Sequence, residues 1–210
     1  KPFCLKPFWL KSASASTQKP HPCPWLATTR SSLDMAAEEG GGSWDQQLEE
    51  WVVTEGYCYA AGLAQMADYQ LYAAAPVAGE AGWGFIHKED HEEQILQDDA
   101  VTTKPMTICE ATCLKVAVET GRAPEGGFWL GGEKYTVTQY EEKLEVGDHE
   151  YTTVFVNKPK KGVHIIKTES QVIACFYDET KEVVGGGFQT SGNCKKAALA
   201  LGEHLKSQGY

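Results

Sequence analysis

Hydrophobic positions come in two rhythms along this chain. Trp44, Leu48, Trp51 and Val52 recur at i, i+4, i+7 and i+8, which places them on one face of a helix. Ser43 and Gln46 before that face form an S-x-x-Q capping pattern, and Gly56 is the expected stop. Short strand-like runs follow at Tyr57–Leu63, Gln70–Ala75 and Gly82–His87. An acidic, polar stretch at 88–104 interrupts them. A second helical face then appears over Cys109–Glu119, with Ala111, Leu114, Ala117 and Val118 together, and the turn GRAPEGG at 121–127 stops it. From there the rhythm is that of strands: Phe128–Leu130, Tyr135–Tyr140, Tyr151–Asn157, Val163–Thr168 and Gln171–Tyr177. The glycine pair Gly131-Gly132 tolerates positive φ without a Cβ penalty and predicts a hairpin turn. A glycine-rich loop leads to a last helix at about Cys194–Ser207. Short intervals between strands favour antiparallel hairpins. The fold class expected is α+β: a single antiparallel β-sheet with N- and C-terminal helices packed on one face.

Composition sharpens the boundaries. The 210 residues are 42% apolar and 10% aromatic, enough for a real core. The charge is uneven. Residues 1–34 hold five basic residues against one acidic, a net of +4, while the remainder holds 14 basic and 28 acidic, a net of −14. Residues 1–42 are read as a disordered extension, basic and then Gly-rich, and residues 43–210 as the folded domain. The basic, serine-rich start also has the look of a transit leader, but Met35 followed by AAEEGGG is read as the natural initiator. A net charge of −10 argues against general nucleic-acid binding, and no run reaches the length of a membrane span. Seven cysteines at irregular spacings fit reduced thiols better than a disulfide framework.

Signals for catalysis are poor. His87 and His91 stand four apart, but HKEDH is not a metalloprotease H-E-x-x-H motif, and a solvated loop is the better reading. No G-x-S-x-G or Walker loop occurs, and Gly185–Gly187 lacks the Lys-Ser/Thr of a phosphate cradle. The chain is read as a non-enzyme without metal or cofactor.

The helix opening SWD, then LGGEKY, GVHIIKT, CFYDETKE and a terminal helix ending HLKSQGY together resemble the profilin family over residues 43–210. The acidic segment 89–99, the ICEAT helix and GRAPEGGFWLGG are most like the profilins of apicomplexan parasites, which carry an acidic insertion and an extra hairpin arm before the middle helix. The resemblance implies binding of monomeric actin, restraint of its spontaneous nucleation, delivery of monomers through proline-rich proteins such as formins, a cytoplasmic, cytoskeleton-associated location and support of parasite motility. It implies a polyproline surface at Trp44, Tyr72, His204 and Tyr210, with Gln47 where many relatives have Tyr. It implies actin contacts at Tyr135, Val137, Lys158, Lys161, His164, Gly192, Lys195 and Lys196. Lys195 and Lys196, read as lying in the first turn of the last helix, oppose its dipole and suggest an anionic partner. Phosphoinositides are the alternative partner, in a lipid-binding or signalling adaptor with weak actin binding.

Overall fold

The computed structural model describes residues 42–97 and 101–210. The extension expected over 1–42 lies outside the described residues, except Gly42, which belongs to a helix. Helix α1 (Gly42–Leu48) runs into a wider π-type turn at Glu49–Val53. Because α1 includes Gly42, Ser43 falls inside the helix and not at the position before its start. Leu48 and Val52 are fully buried on the expected face, and Gly56, at φ 76°, ends the segment.

Nine strands follow among the described residues: β1 (Ala60–Gln65), β2 (Leu71–Ala75), β3 (His91–Leu96), β4 (Thr103–Ile108), β5 (Phe128–Leu130), β6 (Glu133–Val146), β7 (His149–Lys158), β8 (Lys161–Lys167) and β9 (Gln171–Asp178). Seven form one antiparallel sheet in the order β2-β1-β9-β8-β7-β6-β5. Strands β3 and β4 pair with each other as a separate hairpin, where the resemblance implied an arm. The remaining helices are α2 (Ala81–Ile86), α3 (Glu110–Thr120) and α4 (Ser191–Ser207).

Of residues 82–87, expected as a strand, 82–86 instead belong to α2 and His87 caps its end. Gly82 and Ile86, one helical turn apart, are its buried positions. A Cβ at Gly82 would stand 2.6 Å from the Ala75 carbonyl carbon, so only glycine lets this short helix seat against β2. Helix α4 also begins three residues earlier than expected. Thr190 caps it, its side chain accepting from the Asn193 N–H at 3.3 Å. Lys195 and Lys196 therefore sit in its second turn, and the dipole penalty expected for them largely disappears.

Both faces of the sheet are covered. Along β9, Val172, Ala174 and Phe176 join a core with Leu114, Ala117 and Val118 of α3, while Ile173, Cys175 and Tyr177 join a second core with Leu48, Val52, Ala198, Leu201 and Leu205. The two terminal helices thus share one face, and α3 takes the other. Cys58, Cys175 and Cys194 lie in the second core, with Cys58 Sγ 3.1 Å from Cys194 Sγ; all five described cysteines are free thiols.

The Gly131-Gly132 turn has φ values of 62° and 72° and pairs Leu130 with Glu133, the geometry of a two-residue hairpin. It is also a packing contact, since a Cβ at Gly131 would collide with the Phe85 carbonyl oxygen. Gly131→Ala is expected to cost at least about 2 kcal/mol, from the left-handed φ and the collision together. Gly84, in α2, has ordinary φ and open space beyond its Cα. Gly84→Ala should therefore be neutral or stabilise by up to about 1 kcal/mol. Chemical denaturation of the two variants checks this contrast, and equal stabilities would remove the argument.

Candidate functional site: an aromatic groove and a two-faced basic surface

Helix α1 and the π-type turn after it are tied by two carboxylates to the edge strand and the residues just past it. Asp45 Oδ1 accepts from the Ala74 N–H at 2.7 Å, and Glu49 Oε2 from the Val77 N–H at 2.8 Å. This fixes Trp44 beside Tyr72 of β2, with ring centroids 6.4 Å apart and planes at 87°. Tyr210 closes the group edge-on to Trp44, at 5.1 Å and 89°. The chain-terminal tyrosine is held in place, its N–H donating to the Leu205 carbonyl at 3.0 Å. Burial and the neighbouring Tyr210 phenol push the Tyr72 hydroxyl pKa well up, so it stays a neutral donor. The three rings line a groove of about 430 Å³, completed by Gln65 at the end of β1, Met66 and Ala67 after it, and Ser170 and Gln171 at the start of β9.

His204 does not join this groove. Its ring stacks on Trp51, with centroids 4.3 Å apart, and Gln208 Nε2 lies 3.1 Å from its Nε2. Gln47 is half-buried, with its side-chain oxygen unpartnered, and is not among the groove's lining residues. Sequence reasoning missed Gln171, which carries no motif; only its register opposite Gln65 brings it to the groove.

The candidate actin residues fall into two sets. Tyr135 and Val137 belong with the α3-side core, and Lys158 lies over the Tyr135 ring at 5.3 Å while pairing with Glu133. Lys161, on the same face by strand alternation, pairs with Asp178 at 3.4 Å. The second set is on the α4 side. His164 Nε2 lies 2.9 Å from Ser191 Oγ, and its ring stacks on Phe155 at 4.4 Å, with Tyr177 at 6.1 Å. Lys195 reaches Glu141 at 3.3 Å, Lys196 is exposed, and Gly192 faces open space. The sheet stands between the two sets, and Lys195–Glu141 ties α4 to β6.

His87 and His91 belong to different elements: His87 caps the end of α2, and His91 opens β3. His87 lies 3.6 Å from Glu110, while His91 packs edge-on to Trp129 at 5.9 Å, so the loop reading of His91 gives way to a strand. Among the described residues no group of three or more His, Cys, Asp or Glu is placed to hold a metal ion, and no helix is long and apolar enough to cross a membrane.

A protein-family model described as Profilin matches residues 42–210. The chain belongs to the profilin family. It is 31% identical over 169 residues to the profilin of Plasmodium falciparum (isolate 3D7), covering 78% of this chain and 94% of that one. Against the Plasmodium berghei profilin the identity is also 31%, over 78% and 92% of the two chains. Among solved structures, Acanthamoeba castellanii profilin IA superposes with a TM-score of 0.52 at 18% identity, covering 80% of this chain and all of that one. Schizosaccharomyces pombe profilin gives 0.51 at 19% identity, over 80% and 100%. The profilin fold, with its terminal helices on one face of the sheet, is therefore shared beyond the parasite relatives.

His164 gives this profilin a pH signature. Burial, and secondarily the nearby Lys195 charge, lower its pKa to about 4. The unfolded chain, with an ordinary histidine near 6.5, binds the proton first as pH falls. Stability from the neutral folded form is thus full above about pH 6.5 and is lost progressively down to about pH 4. The loss should be on the order of 2 kcal/mol. Melting curves of the parent and His164→Gln at pH 7, 5.5 and 4.5 check it. The variant should show the shallower fall, and parallel curves would reject the assignment.

Proposed function

We propose that this chain binds monomeric actin and holds proline-rich segments, such as those of formins, in the groove between Trp44, Tyr72 and Tyr210. The observation that carries this reading is the three-ring group itself, assembled from α1, β2 and the chain end. A polyproline II segment is already extended and loses little entropy on binding. Flat ring walls suit its pyrrolidine faces, and an indole N–H and two phenols can donate to its carbonyls. In this reading the function lies within residues 42–210, the protein acts in the cytoplasm in association with the actin cytoskeleton, and it performs no catalysis.

Actin contact is assigned to the two sets on β6–β8 and the start of α4. Lys158, Lys161 and Lys195 are each already beside a carboxylate. That arrangement supports a structured protein surface over a bare phosphoinositide headgroup, because paired cations project less free charge. The phosphoinositide reading is therefore not adopted.

Trp44→Ala and Tyr210→Ala should each weaken binding to poly-L-proline by about tenfold, the loss of one stacked wall, while leaving actin sequestration unchanged. Fluorescence titration, pyrene-actin assembly and a thermal melt on the same preparations test this. Retention of full proline affinity by folded variants would remove the groove from the function. Lys195→Glu combined with Lys196→Glu should change stability by no more than about 1 kcal/mol, since the Glu141 pair is partly exposed. The same pair of substitutions should weaken actin binding by more than about tenfold, with a changed salt dependence. Parental sequestration at low and physiological salt would leave α4 outside the actin surface.

A further inference from the structure

The groove has two unlike parts. Trp44, Tyr72 and Tyr210 supply rings, while Gln65, Met66, Ala67 and Ser170 come from the β1–β2 and β8–β9 turns. The two turns are stitched together, the Met66 N–H donating to the Ser170 carbonyl at 3.1 Å. Within the first turn the Gln65 carbonyl accepts from the Tyr69 N–H at 2.8 Å, and the Gln65 N–H donates to the Gln70 carbonyl at 3.2 Å. With the main chain so engaged, Gln65, Ala67 and Ser170 stand exposed at the groove.

Each turn adds an acid at the rim. Asp68 follows Ala67, Glu169 precedes Ser170, and both are exposed. Asp68 Oδ1 accepts from the Gln70 N–H at 2.9 Å, which holds its carboxylate on the turn. The Glu169 side chain is 85% exposed and pairs loosely with Lys206 at 3.9 Å. That ammonium is engaged elsewhere, donating to the Glu150 carbonyl at 2.8 Å and lying over the Tyr151 ring. None of the side chains lining the groove carries a positive charge.

The ring part suits prolines, but an uninterrupted proline run is uncharged and offers nothing to these carboxylates. Lysine and arginine are donor-only cations on long apolar stems. Next to the run, such a stem can lie along Met66 and Ala67 while its head meets Asp68 and Glu169, with the Gln65 carboxamide oxygen and the Ser170 hydroxyl as further acceptors. An acidic flank meets like charge in the same place and is disfavoured.

We propose that the β1–β2 and β8–β9 turns form a cation-reading end of the groove, which selects a proline-rich segment flanked by lysine or arginine over one flanked by a neutral or acidic residue. The proposal rests on the reading of the groove as a proline-binding site.

The test uses the full chain and end-capped peptides with a run of about eight prolines, plain or carrying one lysine, glutamine or glutamate next to the run at either end. At about 0.02 M salt the parent should bind the lysine peptide about fivefold tighter than the glutamate one, with glutamine between, and at about 0.5 M the ratio should fall below about twofold. Asp68→Asn, which keeps the acceptor for Gln70, combined with Glu169→Gln should bring the low-salt ratio below about twofold. Either substitution alone should lower it part-way, so the reading does not hang on the double variant folding. Glu125→Gln combined with Glu179→Gln removes the same charge from exposed positions, Glu179 lying just past the opposite end of β9, and should keep the parent's ratio. Equal binding of the lysine, glutamine and glutamate peptides by the parent at low salt overturns the proposal whatever the variants do. An equal fall in both double variants overturns it too, since the preference then belongs to the net charge of the chain. If the plain proline peptide binds while the ratios are flat, only the cation-reading end falls. If no peptide of any kind binds, the groove's proline function falls with it.

Discussion

Strand β9 is buried at every one of its eight positions, and the fold is organised around that fact. A strand with no solvent face cannot alternate polar with apolar residues; it must supply two cores at once. Val172, Ala174 and Phe176 serve α3, while Ile173, Cys175 and Tyr177 serve the terminal helices. The neighbouring β1 meets the same demand with small residues, Ala60, Ala61, Gly62 and Ala64, so that helices can close in from both sides. At Gly62 a Cβ would meet the Ile86 side chain at 2.5 Å, which marks how near α2 comes. The polar exceptions on β9 sit at its ends. Gln171 borders the aromatic groove, and Asp178 closes on Thr180 and Lys161, which hold its carboxyl below the usual range against the opposing effect of burial.

A second constraint organises the α3 face. The Glu110 carboxylate, 2% exposed, accepts from the Gly132 N–H at 2.6 Å and from the Lys88 N–H at 2.9 Å. One side chain thereby ties the first turn of α3, the β5–β6 turn and the segment between α2 and β3. A buried carboxylate is tolerable because backbone donors replace its hydration and it lies in the first turn of a helix. The glycine pair is thus both a turn and a socket: its left-handed backbone presents the Gly132 N–H to Glu110 while Gly131 lies against Phe85.

These two constraints explain what was legible in the sequence and what was not. The long periodic segments were readable because burial on one helix face leaves a 3.6-residue signature, as at Leu48 and Val52 or Leu114, Ala117 and Val118. The hairpin strands were readable because their turns demand particular residues. Helix α2 was not, since six residues span less than two turns and GWGFI suits either period. The start of α4 was obscured by glycine and serine, and its signal lay instead in Thr190 three residues before Asn193. The aromatic members of the groove were suggested by family resemblance, and the structure joins Trp44, Tyr72 and Tyr210. It hands His204 to Trp51, because α4 packs that residue against the π-type turn after α1. Gln171 and the Glu110 clamp depend on partners distant in sequence, for which local pattern carries no signal.

The placement of the two candidate surfaces has a mechanical consequence. The groove is built at one end of the sheet from α1, two tight turns, the edge strand and the chain terminus. The basic candidates lie on β6–β8 and α4, separated into two sets by the sheet itself. A single partner touching both sets must reach around the sheet, whereas a partner touching one set leaves the other exposed. Lys195–Glu141 joins α4 to β6 on the helix's own side of the sheet, and its exposed geometry makes it weak. Rearranging it to admit a partner's carboxylate therefore costs the fold little, while His164, buried beneath and stacked on Phe155, keeps the helix start in place. A weak, exchangeable ion pair over a rigid aromatic support is the arrangement that lets a binding surface change partners without disturbing the core.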